Sequence, residues 1–150
     1  MSVSAVPKLE PMEKSELWQE ACSLAEYMYG LLTDFPPEES YNVAGKLRMA
    51  AIDLMYAVSQ GLGNSNPSGR EYDWGYARKS INGLKTIYRF AGKQKFIALD
   101  PDIMVRFDKL LKQIDTEVAK GYKESAAYYD KEMQTWRLKY EIWKKDNNEV

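Results

Sequence analysis

Phe35-Pro36-Pro37-Glu38-Glu39, running on into Leu47-Arg48-Met49-Ala50-Ala51-Ile52-Asp53-Leu54-Met55-Tyr56-Ala57-Val58, decides how this chain folds. Two prolines stop whatever precedes them, because proline has no N–H and disfavours helix in the residue before it. Glu38, Glu39 and the candidate cap Asn42 then stand where a helix N-terminus favours negative charge and side-chain acceptors. Leu47, Ala51, Leu54 and Val58 recur at spacings of four, three and four, the one-sided pattern of a buried helix. Ala50 and Ala57 widen that stripe. This second helix is the most apolar of the chain, and the others are expected to pack around it.

Outward from that helix the same period recurs. Met1 to Lys14, with Pro7 and Pro11 and no period, is read as a mobile arm. Ser15 is placed to cap a first helix whose apolar positions, Leu17/Trp18, Ala21, Leu24/Ala25, Met28 and Leu31/Leu32, continue to the stop at Pro36. The second helix is expected from about Asn42 to Gly61. After the polar loop Gly63–Gly69, Ser68-Gly69-Arg70-Glu71 has capping-box spacing for a third helix. Its inner face reads Tyr76/Ala77, Ile81, Leu84, Ile87/Tyr88 and Ala91, with Gly92 as its stop. Asp100-Pro101-Asp102 opens a fourth helix with inner residues Ile103, Phe107, Leu110/Leu111, Ile114 and Val118. Nothing alternates with period two. The expected fold is all-α, an antiparallel four-helix bundle over residues 15–121.

The helical pattern does not end with the bundle. Tyr129, Met133, Trp136, Tyr140 and Trp143 follow at four, three, four, three, a heptad seam of aromatics and one methionine. Residues 122–150 are therefore expected to form an amphipathic aromatic helical extension, with Gly121 as the place for a kink. So many exposed aromatics on one stripe would make a large apolar patch. Either the stripe docks on a subunit or another protein, or it folds back on its own bundle.

Composition bounds the function from the other side. The chain has 150 residues, a 45% hydrophobic fraction and a net charge of −1, the values of one ordinary globular domain. One cysteine, Cys22, leaves no internal disulfide, and no stretch suits a secretory leader or a membrane span, so the cytoplasm is the expected compartment. There is no histidine, which removes imidazole base chemistry and histidine metal ligation. Cys22, in an amphipathic helix, reads as packing. Gly61-Leu62-Gly63-Asn64 lacks the third glycine and the preceding strand of a dinucleotide loop. Glu38-Glu39 and Asp100/Asp102 read as helix-start acids instead of metal ligands. No enzymatic activity, cofactor, metal or small-molecule substrate is expected.

Charge is unevenly placed. Lys8 to Glu39 carries eight acids against two lysines, and Arg70 to Lys95 carries seven bases against two acids. Arg78, Lys85 and Arg89 share one helix face, with Lys93 following. These four are candidate phosphate contacts of an RNA-binding face. A contact with an acidic subunit or partner, or a simply solvated face, would use the same residues.

Several of these stretches together carry a resemblance. Leu17-Trp18-Gln19, Phe35-Pro36-Pro37-Glu38-Glu39, Leu47-Arg48-Met49-Ala50-Ala51, Ile87-Tyr88-Arg89-Phe90-Ala91 and Leu99-Asp100 resemble the outline of a four-helix-bundle superfamily. That superfamily groups the proteins encoded in intervening sequences of bacterial 23S rRNA genes with the accessory variability determinant of diversity-generating retroelements. The resemblance covers roughly Leu17 to Tyr122. Ala57-Val58-Ser59-Gln60-Gly61 keeps only the spacing and glycine of the first branch's Asn-Ile-Ala-Glu-Gly, whereas Ala50-Ala51-Ile52-Asp53-Leu54 is similar to the second branch's Ala-Ala-Leu-Asp-Leu. The second branch implies a non-catalytic, ring-forming homo-oligomer, commonly a pentamer, that binds a reverse transcriptase and its template RNA. The first implies a helical scaffold or interaction protein with no nucleic-acid role. Asp53, the one charge inside the apolar run, is placed for a subunit or partner contact or for an exposed flank.

Overall fold

A computed structural model describes residues 10–147. Among them the chain forms four α-helices: α1 (Glu16–Gly30), α2 (Val43–Gly63), α3 (Pro67–Lys93) and α4 (Pro101–Asp146). No strand occurs among the described residues. Of the expected arm, residues 1–9 lie outside the described residues, and Pro11–Lys14 form a 3-10 turn.

Local chemistry sets the helix starts. The Ser15 hydroxyl accepts from the Trp18 N–H, and the Asp100 carboxylate accepts from the Asp102 N–H ahead of Pro101 at the first helical position. Asn42 occupies the cap position of α2, but its side-chain amide donates back to Glu38 O and caps nothing; the Val43 N–H donates to Glu39 Oε2 instead, at 3.2 Å. At α3 the structure corrects the capping-box reading. Asn66 is the cap, its Oδ1 accepting from the N–H groups of Ser68 and Gly69, so the helix begins at Pro67.

Helix ends also depart from expectation. α1 stops at Gly30 and tightens into a 3-10 turn, Leu31–Asp34, before Phe35 and the prolines. α3 runs one residue past Gly92. Lys95, at φ 60°, closes it in the left-handed conformation while its N–H donates to Gly92 O and that of Phe96 to Ala91 O. Gly92 serves packing: a Cβ there would collide with the Leu99 side chain.

Helices adjacent in sequence are adjacent in space: α2 packs on α1 and α3, α3 on α4, and α1 closes more lightly onto α4. α2 is thus one wall and not the hub, and α3 is held between α2 and α4. Leu24 and Met28, Leu47, Leu54 and Val58, Ile81, Leu84 and Tyr88, and Phe107, Leu110 and Ile114 meet fully buried in one core. Burying a side chain of this size contributes about 1.5–3 kcal/mol each, so the shared core supplies the dominant stabilising term. Tyr88 anchors the α3–α4 connection. Its ring lies 5.8 Å from that of Phe107, and its hydroxyl accepts the Asp100 N–H at 2.8 Å.

α4 passes through Gly121 without interruption. Gly121 is buried because α3 crosses there: a Cβ would meet the Glu71 backbone Cα at 3.2 Å. The glycine permits a close helix approach, and the helix does not break at it.

Candidate contact surface

Along α4 the inward stripe is Ile103, Phe107, Leu110, Ile114, Val118, Gly121 and Ser125, all buried. The same three- and four-residue steps carry it on as Tyr129, Met133, Trp136, Tyr140 and Trp143. Its cover does not continue. α3 begins at Pro67, and Arg70, one turn in, pairs with Glu124 at 2.9 Å. From Ala126 to Asn147 every residue is exposed. The five seam residues are 45–63% exposed. An apolar face has outrun the helices that bury it.

The seam is locally ordered. Trp136 and Tyr140 stack with ring centres 5.7 Å apart and planes 2° from parallel, and Trp143 lies 6.1 Å from Tyr140. At the root of the seam, Ser68, Tyr72, Tyr76, Tyr122, Ser125 and Tyr129 help line an open groove of about 510 Å³ between α3 and α4. The groove depends on side chains from both helices and was not legible from either period alone.

The basic face is only partly free. Arg78 Nε lies 3.0 Å from Asp115 Oδ1, and Lys85 Nζ pairs with Asp108. With Arg70–Glu124 these form a row along which residue numbers rise on α3 and fall on α4. Arg89 and Lys93 are exposed and make no ion pair among the described residues. The acids were visible in principle. Asp108 and Asp115 are seven apart, as are Arg78 and Lys85, so two matched flanks can meet in reverse order.

Asp53 lies half-buried on α2, far ahead of the seam in the chain, between the exposed side chains of Ile52 and Tyr56, with Met49 one turn earlier. It makes no ion pair among the described residues. Cys22 is buried. Burial, reinforced by the Glu26 and Glu13 carboxylates, pushes its thiol from 9.0 up to about 11, so it is protonated at neutral pH. Among the described residues no three acids or thiols gather as a metal-binding group, and no helix is long and apolar enough to cross a membrane.

No protein-family model matches the chain, and no curated protein matches it.

Proposed function

We propose that the chain is a non-catalytic, oligomer-forming accessory protein: an antiparallel four-helix bundle that carries a C-terminal helical extension as its contact arm. The observation that supports this best is the uncovered continuation of the core stripe from Tyr129 to Trp143. An apolar face of this extent on a rigid helix gains free energy only when something covers it. The exposed Met49, Ile52 and Tyr56 beside Asp53 offer α2 as a second contact between subunits.

Cutting the chain after Tyr122 tests the reading. The shortened chain is expected to stay helical and melt cooperatively while losing association. Early melting of the shortened chain, as an isolated domain, would return the stripe to its own core and end the contact reading.

A second reading follows the superfamily resemblance: the bundle accompanies a reverse transcriptase and holds its template RNA. Arg89 and Lys93, exposed and without acid partners among the described residues, favour it. Charge reversal at both positions is expected to abolish RNA binding.

A further inference from the structure

We infer that the partner of the α4 seam is a second copy of this chain, paired antiparallel through residues 122–147. The inference rests on the reading of α4 as a contact arm and names what it contacts. In heptad terms Ala126, Met133 and Tyr140 occupy one core position and Tyr122, Tyr129, Trp136 and Trp143 the other.

In an antiparallel pair each residue of one kind faces one of the other. A two-fold axis between Gln134 and Thr135 then sets Met133 against Trp136 of the second copy, Tyr129 against its Tyr140, and Ala126 against its Trp143. The smallest seam residue thus receives a tryptophan, beside the open groove lined by Tyr72, Tyr76 and Tyr129. A parallel pair in register would put Trp136 on Trp136, Trp143 on Trp143, and leave a gap between two alanines.

The flanking charges select the same orientation. The arm's charge changes sign along its length, with Asp130 and Glu132 early and Arg137, Lys139, Lys144 and Lys145 late. The antiparallel register brings Asp130 to Arg137 and Glu132 to Lys139, each twice by symmetry. Its like-charge contact, Lys123 with Lys144, falls at the outer ends in water, where screening is strongest. The parallel register keeps Glu132 with Arg137 but sets Lys139 against Lys144 inside the seam.

Nucleic acid fits the arm less well. Between Lys123 and Asp146 six bases face five acids, so the aromatic ladder lacks the net positive funnel that tracks a phosphate backbone. Covering five aromatics and a methionine, each about half exposed, removes on the order of 100 Å² apiece. The pair then removes roughly 1,200 Å², the lower end of a specific interface.

Sedimentation equilibrium of the full chain tests the pairing, with circular dichroism to verify that each variant is folded. Asp130→Arg sets like charges face to face twice and is expected to weaken association at least about tenfold, halving the chains per particle. Adding Arg137→Asp to Asp130→Arg swaps the pair and is expected to restore the wild-type value. In a parallel pair that second change would instead oppose Glu132 to an acid. A swap that stays dissociated overturns the orientation. A wild-type chain whose association is unaffected by Asp130→Arg, or that does not associate, overturns self-pairing and leaves the arm for a foreign protein. Association that appears only on adding single-stranded RNA overturns it in favour of a base-stacking role. None of these outcomes depends on the truncation that tests the contact arm itself.

Discussion

Gly61 lies under the indole of Trp74, so close that a Cβ would stand 2.7 Å from ring atoms Cδ2 and Cε2. The end of α2 meets the start of α3 through this pair, and Trp74 is itself buried. Gly61→Ala is therefore expected to destabilise by about 1–3 kcal/mol, since the indole is held in the core and must shift. Gly83→Ala, which meets nothing within 4 Å on α3, is expected to stabilise by about 1 kcal/mol through helix propensity alone. Urea unfolding of the two variants distinguishes a packing glycine from an idle one.

Gly121→Ala meets main chain where Gly61→Ala meets a side chain. Its added methyl meets the backbone of Glu71 at 3.2 Å, and backbone cannot rotate aside. The start of α3 must give way against α4 by a few tenths of an ångström. A loss of about 1–3 kcal/mol is expected, against the gain of about 1 kcal/mol that a merely tolerated helical glycine would return. Thermal melts decide between the two signs.

These glycines mark the limit of what the sequence makes legible. Period alone places Leu47, Leu54, Ile81, Leu84, Phe107 and Ile114 inward, and all are buried, because one helix face needs no knowledge of its neighbour. It passes over Trp74, which is buried, and favours Tyr76, which is exposed, because the start of α3 takes its inner side from where α2 ends. Gly92 and Gly121 read as a stop and a kink by their conformational freedom, yet both are sites of close approach, a tertiary fact. The seam from Tyr129 to Trp143 was fully legible as a pattern. Its exposure required knowing where α3 begins.

Lys95 holds a left-handed conformation at φ 60° to close α3. A side chain pays roughly 1 kcal/mol there that glycine does not. Lys95→Gly is expected to raise stability by about that amount, with the two closing bonds to Gly92 and Ala91 kept. A variant that loses stability would mean that the lysine side chain makes a stronger contribution than the backbone strain it carries.

Alkaline pH should loosen the bundle. Burial first, then Glu26 and Glu13, raise the Cys22 thiol from 9.0 to about 11; burial first, then the Tyr88 hydroxyl, raise Tyr27 from 10.0 to about 12. In both cases the unfolded chain releases its proton at lower pH than the folded one. Stability is therefore complete below about pH 9 and falls as pH rises through 11 to 12. The Cys22 share is on the order of 2 kcal/mol, and Cys22→Ala is expected to flatten the decline between pH 9 and 11. Urea midpoints at stepped pH measure it.

On the reading in which the bundle holds RNA, the salt dependence of binding is expected to separate the free bases from the tied ones. Arg78 and Lys85 already face Asp115 and Asp108, so a phosphate must compete with an acid a few ångströms away. Arg89 and Lys93 face no such competitor among the described residues. Two available charges per subunit predict a log–log salt slope of roughly −1.4 for single-stranded RNA, against roughly −3 if all four engaged. Replacing Asp108→Asn and Asp115→Asn together releases Arg78 and Lys85. The two ion pairs are surface pairs with at least one half-exposed partner, so their loss costs little stability, about 0–1 kcal/mol each. The double variant is thus expected to remain folded, bind RNA more tightly, and steepen the slope toward −3. Titration of labelled RNA at several salt concentrations reads both quantities. An unchanged slope in the double variant would show that the α3 face is not where phosphate binds, and the absence of binding in either protein would leave α4 as the functional surface.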